Sequence, residues 1–273
     1  KAAPGIVTND VFFKDTAGAP LPTLYAYSAL VSPRPRDWPK GAIVTGFWPL
    51  ADRSDWQPSE AFRAFLAAGD EPIYIGFGSM PFGAERNTQI LKEAVRLWGG
   101  RVVVARGWGG INPDDLPADI FAIEKAPHDK LFKYVRAVVH HGGAGTTSSG
   151  LALGKPTFIV PQTVDQPYWG RRVYELGCGP KPVRLRKLTP EILADALADL
   201  ANNPSYQMAA EALAGRLTAE DGTGRAIKVI ERIMNSFVPG VRSRTRRIRP
   251  RTTRPVRERA GNGVARTPPP AAE

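Results

Sequence analysis

The sequence predicts an α/β protein with a doubly wound parallel sheet, followed by a disordered basic tail. Short apolar runs bounded by turn residues, typical of buried strands, alternate along the chain with segments whose apolar residues recur at helical spacing. Strands that alternate with helices generally form a parallel sheet covered by helices on both faces. At 273 residues, of which 42% are hydrophobic, the chain is long enough to bury such a core.

The first half of the chain alternates strand and helix from about residue 42. Ser59 is placed to cap one helix, and a glycine at position 99 is placed to end the next. The predicted strands are residues 43–45, 73–77 and 102–105, and the predicted helices are residues 60–69 and 87–100.

The second half continues the alternation and ends in helices. Thr189 is placed to cap a helix in which Pro190 occupies the first turn, a position that proline favours. The predicted strands are residues 121–123, 137–140 and 157–160, and the predicted helices are residues 129–136, 167–176, 188–203, 205–218 and 223–236.

Composition divides the chain into three parts. Residues 1–40 are rich in proline and small residues, begin with Lys1 and lack the strand-glycine-helix opening of a complete α/β domain, so we interpret them as an incomplete edge and a connector. Residues 41–237 are the predicted α/β domain. Residues 238–273 have almost no apolar periodicity and are the predicted disordered tail.

The net charge of +11 comes mostly from the tail. Ten arginines and two glutamates lie between Arg242 and Glu273, so this segment carries about eight of the net charges. Such a segment can contact RNA, DNA or other anionic surfaces electrostatically. No aromatic residue follows Phe237 to stack on a base, so we expect a solubilising or incidental tail without specific nucleic-acid binding. An RNA- or membrane-associated protein stays open as an alternative.

Cysteine content and hydropathy favour a cytoplasmic protein, with peripheral membrane contact as an option. The single cysteine, Cys178, cannot form an intrachain disulfide or a cysteine-based metal cluster. No apolar run approaches the length of a membrane span, and the N-terminus lacks a signal pattern.

The segment HHGGAGTTSSG, residues 140–150, follows a predicted strand and opens a predicted helix. Glycines let a backbone approach a ligand closely, and a helix N-terminus attracts anions, so the segment is typical of a phosphate site. His141 could donate a hydrogen bond to a phosphate oxygen there. Ser148 interrupts the dinucleotide-binding glycine pattern, and no lysine completes a Walker pattern. A plain strand-to-helix turn with a packed histidine is the alternative.

Four other loops follow predicted strands and share the same rim. Ligands of doubly wound sheets bind outside the carboxyl ends of the strands. The rim sequences carry glycine, hydroxyl, imidazole, carboxylate and indole groups, and they read GSMPFG, RGWGG, EKAPHDKLF, HGGAGTT and PQTVDQPYW in chain order. The rim is therefore the predicted ligand site.

The ordered motifs GFGSM, APHDKLF, HHGGAGTT and VDQPYWGRRVYELG resemble the C-terminal, sugar-nucleotide-binding half of GT-B-fold UDP-glycosyltransferases. Within that family the resemblance is to the members that include sterol glucosyltransferases and antibiotic glycosyltransferases. It runs from about Ser28 to Phe237 and includes TGFWPL in the segment that leads into that half. The resemblance implies a Rossmann-like domain and makes residues 1–40 the remnant of an N-terminal domain with its linker.

The resemblance also implies a role for each rim residue. The implied donor-binding residues are Gly78, Ser79, His141, Gly142, Gly143, Gly145 and Thr146 at the diphosphate, Pro127 and His128 at the nucleobase, and Asp165 and Gln166 at the sugar hydroxyls. His140 is expected to be structural. Plant-type members carry a ribose-binding glutamate where Ser149 stands, and a stacking aromatic where Lys125 stands; Trp108 could replace that aromatic.

The reaction that the resemblance implies is a metal-independent, inverting transfer of a hexose from a UDP- or TDP-sugar to a hydroxyl of a sterol- or polyketide-like acceptor, without a cofactor. His141 would stabilise charge on the leaving phosphate. No DxD motif stands on the rim, and Asp114 and Asp115 are expected in a solvated turn. In the family, a histidine of the N-terminal domain deprotonates the acceptor, so this chain would lack the general base. A non-catalytic sugar-nucleotide-binding module that needs a partner, and a GT-B epimerase, stay open as alternatives.

Overall fold

The computed structural model describes residues 21–77, 83–105, 116–124 and 126–237. Within these ranges the strands are β1 (Thr23–Tyr25), β2 (Ala42–Val44), β3 (Ile73–Gly76), β4 (Val102–Ala105), β5 (Ile120–Ile123), β6 (Ala137–His140) and β7 (Thr157–Ile159). The first two form a parallel pair, and the other five form one parallel sheet in the order β5-β4-β3-β6-β7. The predicted α/β fold with a parallel sheet is confirmed, whereas the predicted tail, residues 238–273, lies outside the described residues.

Helices follow the strands as the sequence pattern indicates. Their bounds are α1 (Glu60–Ala67), α2 (Ala84–Trp98), α3 (His128–Leu131), α4 (Ala144–Ala152), α5 (Gln166–Glu175), α6 (Pro190–Asn202), α7 (Pro204–Thr218) and α8 (Gly222–Phe237), with 3-10 turns at Phe132–Tyr134 and Leu185–Lys187. None of the helices in the described ranges is both long enough and apolar enough to cross a membrane.

The ends of helices α1, α2 and α6 carry the capping residues that the sequence predicted. Ser59 Oγ accepts a hydrogen bond from the Phe62 N–H at 3.2 Å, and Thr189 Oγ1 accepts one from the Ile192 N–H at 3.3 Å. Gly99 ends α2 with a left-handed φ of 77°. Both predicted N-caps and the predicted glycine stop are therefore present.

Three differences from the sequence prediction are larger than the shifts of one or two residues found at other element ends. A strand, β1, lies within residues 1–40 and pairs with β2 in register Thr23 to Ala42. The helix predicted for residues 129–136 is one α-helical turn followed by a 3-10 turn, and it stops before Val135, whose backbone is extended. Helix α2 begins before residue 87, because Gly83 adopts a left-handed φ of 64° directly before it.

The core lies on both faces of the five-stranded sheet. Alternate residues of β3 point to opposite faces: Ile73 and Ile75 pack with α2 and α6, whereas Tyr74 packs with α1 and α3. On the second face, Ile159 of β7 packs with α4, α5 and α7 through side chains such as Leu151. This double covering explains why the strands are almost continuously apolar.

Candidate functional site

The order of the strands opens a crevice between β3 and β6. The chain proceeds outward from β3 to β4 and β5, and then returns to β6 on the other side of β3. Loops at the carboxyl ends of two such strands leave in opposite directions, which is where doubly wound sheets bind ligands. Gly76 and His140 are paired at these two strand ends. The loop after β3, with Gly78 and Ser79, lies outside the described residues, as do Trp108 and Lys125.

The loop after β6 is fixed by Gly142. Its φ of 91° is a conformation that side chains rarely adopt, and a Cβ there would lie 2.6 Å from Ile159 Cγ2 and 3.1 Å from the Gln166 carbonyl oxygen. The Gly142 N–H donates to Nδ1 of His140 at 3.0 Å. This bond places the imidazole proton of neutral His140 on Nε2, because Nδ1 is the acceptor. His140 therefore holds the turn that precedes the helix, in agreement with its expected structural role.

Helix α4 presents free backbone donors at its N-terminus. Gly143 stands at the N-cap without a side-chain cap, and the first N–H bonded within the helix is that of Thr147, to Gly143 O at 2.9 Å. The N–H groups of Ala144, Gly145 and Thr146 therefore have no helical acceptor. Gly145 is exposed, and a Cβ added there would meet nothing within 4 Å. These donors and the helix dipole make the N-terminus of α4 suited to an anion.

His141 stands beside these donors. A Cβ on Gly143 would lie 2.7 Å from His141 Nε2, so the imidazole occupies the space directly over the glycine backbone. Burial lowers the pKa of His141, while the Gly76 carbonyl and the Asp165 carboxylate act in the opposite direction. Nδ1 is buried without a partner that meets hydrogen-bond geometry among the described residues. The lowered pKa favours the neutral imidazole of His141, which has one N–H to donate.

The three histidines of the chain interact electrostatically at this rim. Burial, followed by His141 and His128, holds the pKa of fully buried His140 well below its usual range. Burial and His141 also lower the pKa of His128, which Asp129 opposes. His141 therefore disfavours a proton on His140 and on His128, and His128 disfavours one on His140.

Pro127 and His128 reach the rim at the start of α3. Pro127 is the N-cap of this helix, and the His128 ring stacks on Phe132 with centroids 4.7 Å apart and 14° between the planes. Tyr74 contacts both rings, and burial raises its pKa to about 12. Contact between Pro127, His128 and a nucleobase stays a prediction. Sequence reasoning missed Tyr74 at the rim, although its alternation with Ile73 and Ile75 places it on this face.

The loop after β7 is held by two glutamines. Gln166 Oε1 accepts the backbone N–H groups of Gln162 at 2.8 Å and of Thr163 at 3.1 Å. Gln162 Nε2 donates to the carbonyl of Phe77, at the end of β3, at 2.8 Å. The loop is thereby tied to the other side of the crevice. The Gln166 oxygen is engaged inside the loop, so only its amide nitrogen is left for the predicted contact with a sugar.

Asp165 projects from this loop at the N-cap of α5. Its side chain is exposed, and Oδ2 accepts a hydrogen bond from Trp169 Nε1 at 2.8 Å. The preceding residue, Val164, has a φ of 48°, which is an outlier for a β-branched residue and typical of backbone strain at functional sites. Asp165 raises the pKa of His141, so the two loops act on each other. Neither Val164 nor Trp169 was singled out from the sequence.

Ser149 lies within α4, half-buried, one turn beyond Gly145. Its predicted place at a ribose stays a prediction. In the part of the chain that the structure describes, no group of three or more His, Cys, Asp or Glu side chains is arranged to hold a metal ion.

The family model for the erythromycin biosynthesis protein CIII-like C-terminal domain matches residues 89–231, which is more than half of the chain. The chain belongs to this family. The match covers the rim segments that contain Pro127, His141 and Asp165, so these parts of the site lie inside the domain that defines the EryCIII-like C-terminal family.

Curated relatives of this EryCIII-like domain are glycosyltransferases by name. Sterol 3-beta-glucosyltransferase UGT80B1 of Arabidopsis thaliana is 40% identical over 222 residues, which are 80% of this chain and 36% of that protein. O-mycaminosyltylonolide 6-deoxyallosyltransferase of Streptomyces fradiae is 34% identical over 217 residues, which are 78% of this chain and 50% of that protein. The chain therefore spans a third to a half of the length of these relatives.

Solved structures share the fold. The glycotransferase of kitacinnamycin superposes with a TM-score of 0.61 at 23% identity, over 85% of this chain and 58% of that one. CalG4, the calicheamicin glycosyltransferase, also gives a TM-score of 0.61, at 20% identity, over 79% of this chain and 54% of that one. The parallel sheet with its flanking helices is thus the fold of GT-B glycosyltransferases.

Proposed function

We propose that this chain forms the donor-binding half of a glycosyltransferase that takes a hexose from a nucleotide diphosphate sugar, with UDP-sugar as the expected donor. The observation that carries the proposal is the N-terminus of α4, where backbone N–H groups without helical acceptors stand beside neutral His141. This arrangement lies beside the carboxyl ends of β3 and β6, where the strand order reverses, in an EryCIII-like domain. The curated relatives named above, which are sterol and antibiotic sugar transferases, support it.

The diphosphate would bind at the N-terminus of α4. In the transfer, an acceptor hydroxyl attacks the anomeric carbon, a new carbon–oxygen bond forms with inversion, and the electron pair of the broken bond goes to the leaving diphosphate. Donors that are already oriented stabilise this growing negative charge without reorganisation. The N–H groups of Gly145 and Thr146, together with His141, would fill this role.

The sugar would extend toward the loop after β7. Asp165 is exposed there and acts on His141 electrostatically, so one ligand can reach both. A carboxylate accepts hydrogen bonds from sugar hydroxyls, and the amide nitrogen of Gln166 can donate one. We therefore assign sugar recognition to Asp165 and Gln166, and nucleobase contact to the α3 side with Pro127 and His128.

The acceptor side belongs to other parts of the protein. All three histidines lie at the rim where we place the sugar nucleotide. The base that takes the proton from the acceptor hydroxyl, and the pocket for a sterol- or polyketide-like acceptor, are therefore proposed to come from outside the described residues. We further propose that the transfer needs no divalent metal and takes place in the cytoplasm.

Titration calorimetry of the chain with UDP and UDP-glucose, each with EDTA and again with Mg²⁺, tests the proposal. We expect both ligands to bind, with affinities unchanged by Mg²⁺. TDP in a third series measures the preference for the base. A folded chain that binds neither uridine nor thymidine diphosphates contradicts the proposal, whereas binding only with Mg²⁺ contradicts its metal-independent form.

A non-catalytic sugar-nucleotide-binding module is the second candidate, because every histidine of the chain lies on the donor side. The two candidates differ in what a longer protein does with UDP-glucose and a sterol. A transferase releases UDP and forms a glucoside, whereas a binding module holds the donor unchanged. Formation of an epimeric UDP-sugar without acceptor would instead identify an epimerase.

A further inference from the structure

We propose that Trp169 is a positioning residue that holds the carboxylate of Asp165 in one orientation toward the sugar of a bound sugar nucleotide. The inference rests on the proposed function and adds to it a buried residue that acts on the ligand through Asp165. The two residues then have separate roles at the start of α5: Asp165 contacts the sugar, and Trp169 keeps the Asp165 carboxylate in place.

The contact between the two side chains is direct. Trp169 Nε1 donates to Asp165 Oδ2 at 2.8 Å, across one turn of α5. The indole is 7% exposed, whereas Asp165 is exposed. An indole has one polar hydrogen and donates only, so it can fix one carboxylate oxygen and leave the other for a ligand.

The indole itself is held firmly by its neighbours. The rings of Tyr27 and Tyr168 meet it edge to face, with centroids 6.0 Å and 5.5 Å away. On the inner side it belongs to an apolar cluster that includes Val173 and Leu213. Close packing on all these sides restricts the ring to one rotamer. The direction of its N–H is therefore set by the core.

The backbone on which Asp165 stands is also restrained. Gln166 Oε1 accepts the N–H groups of Gln162 and Thr163, and Val164 is held at a φ of 48°. The side chain of Asp165 is then the part of this turn whose rotation is still free, and the bond from Trp169 removes that freedom. Without the indole N–H, the carboxylate would lose its orientation while the diphosphate site around His141 keeps its geometry.

The variant Trp169→Phe removes the N–H and keeps an aromatic ring in the core. We expect the Kd for UDP-glucose to rise about fivefold to tenfold, in the range of a typical lost hydrogen bond, while the Kd for UDP stays within about twofold. Tyr168→Phe is the matched control, because it removes a neighbouring hydroxyl that bonds to Ser32 at 2.6 Å and keeps the backbone bond from the Tyr168 N–H to the Asp165 carbonyl at 2.9 Å. The control should leave the ratio of the two Kd values unchanged.

A double-variant cycle with Asp165→Ala separates positioning from packing. If Trp169 acts through Asp165, Trp169→Phe should have no further effect on UDP-glucose binding once the carboxylate is gone. An equal loss of UDP and UDP-glucose affinity, or the same loss in the Asp165→Ala background, would overturn the inference and leave the proposed function intact. A wild-type chain that binds neither ligand would overturn both.

Nuclear magnetic resonance of the wild-type chain provides a readout that does not depend on the stability of a variant. The indole N–H signal of Trp169, assigned by its loss in Trp169→Phe or by its shift in Asp165→Asn, should move when UDP-glucose is added and stay in place with UDP. An indole N–H chemical shift that does not change at saturating UDP-glucose would contradict the positioning role.

Discussion

The loops after β6 and β7 meet at one rim, but one offers backbone groups to a ligand and the other offers a side chain. The loop after β6 offers backbone N–H groups, whose directions are set by Gly142 and by the start of α4. The loop after β7 offers a carboxylate, whose direction is set by a neighbouring indole. A site made of backbone suits the diphosphate that all nucleotide diphosphate sugars share, whereas a site made of side chains can change with the sugar.

The loop after β6, residues 141–143 and here called the backbone loop, should depend on Gly142 for its stability. In Gly142→Ala, the added methyl group would stand 2.6 Å from Ile159 Cγ2, at a φ of 91°. Strain and overpacking together should lower the free energy of unfolding by about 3 kcal/mol or more. Urea unfolding followed by circular dichroism measures this loss. A change below about 1 kcal/mol would show that the loop adapts, and would remove the contrast between the two loops.

The backbone loop should also weaken in acid, because Nδ1 of His140 accepts the Gly142 N–H. The pKa of His140 is held well below its usual range, so the unfolded chain takes up a proton first as the pH falls below about 6.5. The free energy of unfolding should therefore fall by up to about 1.4 kcal/mol per pH unit from this residue until the folded pKa is reached. His128 and His141 add in the same direction because their pKa values are lowered too.

His140→Gln tests this account, because a glutamine oxygen can accept a hydrogen bond without titrating. The stability of the variant should depend less steeply on pH than that of the wild type between pH 7 and pH 5. Parallel curves for the two proteins would show that His140 does not carry the acid sensitivity of the loop.

A third substitution, Gly145→Ala, separates stability from binding at the start of α4, directly after the backbone loop. A methyl group at Gly145 meets nothing within 4 Å, and alanine favours helix, so stability should stay within about 1 kcal/mol of the wild type or rise. The methyl group would enter the space offered to a phosphate, and the Kd for UDP should rise about tenfold. Unchanged UDP affinity would place the diphosphate elsewhere on the rim.

The sequence alone was sufficient for most of the fold and for the position of the glycine loop at the rim. The apolar strands, the Ser59 and Thr189 caps and the glycines after His141 are local signals, and local physics explains each of them. Placing the glycine loop at the rim then needed only the rule that ligands bind at the carboxyl ends of parallel strands.

The geometry of the loop after β7 was harder to predict from the sequence, because it depends on contacts between distant residues and on backbone torsion. Nothing local in VDQPYW shows that Val164 adopts a positive φ or that Gln166 turns its oxygen into the loop. The bond from Trp169 to Asp165 spans four residues at helical spacing, so a helix starting at residue 166 would have suggested it. Strand β1 was missed because three half-buried residues amid prolines give a weak pattern.

The division of the site between a diphosphate loop and a sugar loop is tested most directly by calorimetric titration of His141→Ala and Asp165→Ala with UDP and UDP-glucose, without divalent metal. We expect His141→Ala to weaken the binding of both ligands, since both carry the diphosphate. Asp165→Ala should weaken the binding of UDP-glucose alone, since UDP lacks the glucose that Asp165 is proposed to contact. Equal losses of UDP and UDP-glucose in Asp165→Ala, or full affinity for UDP in His141→Ala, would contradict the division of the site between a diphosphate loop and a sugar loop.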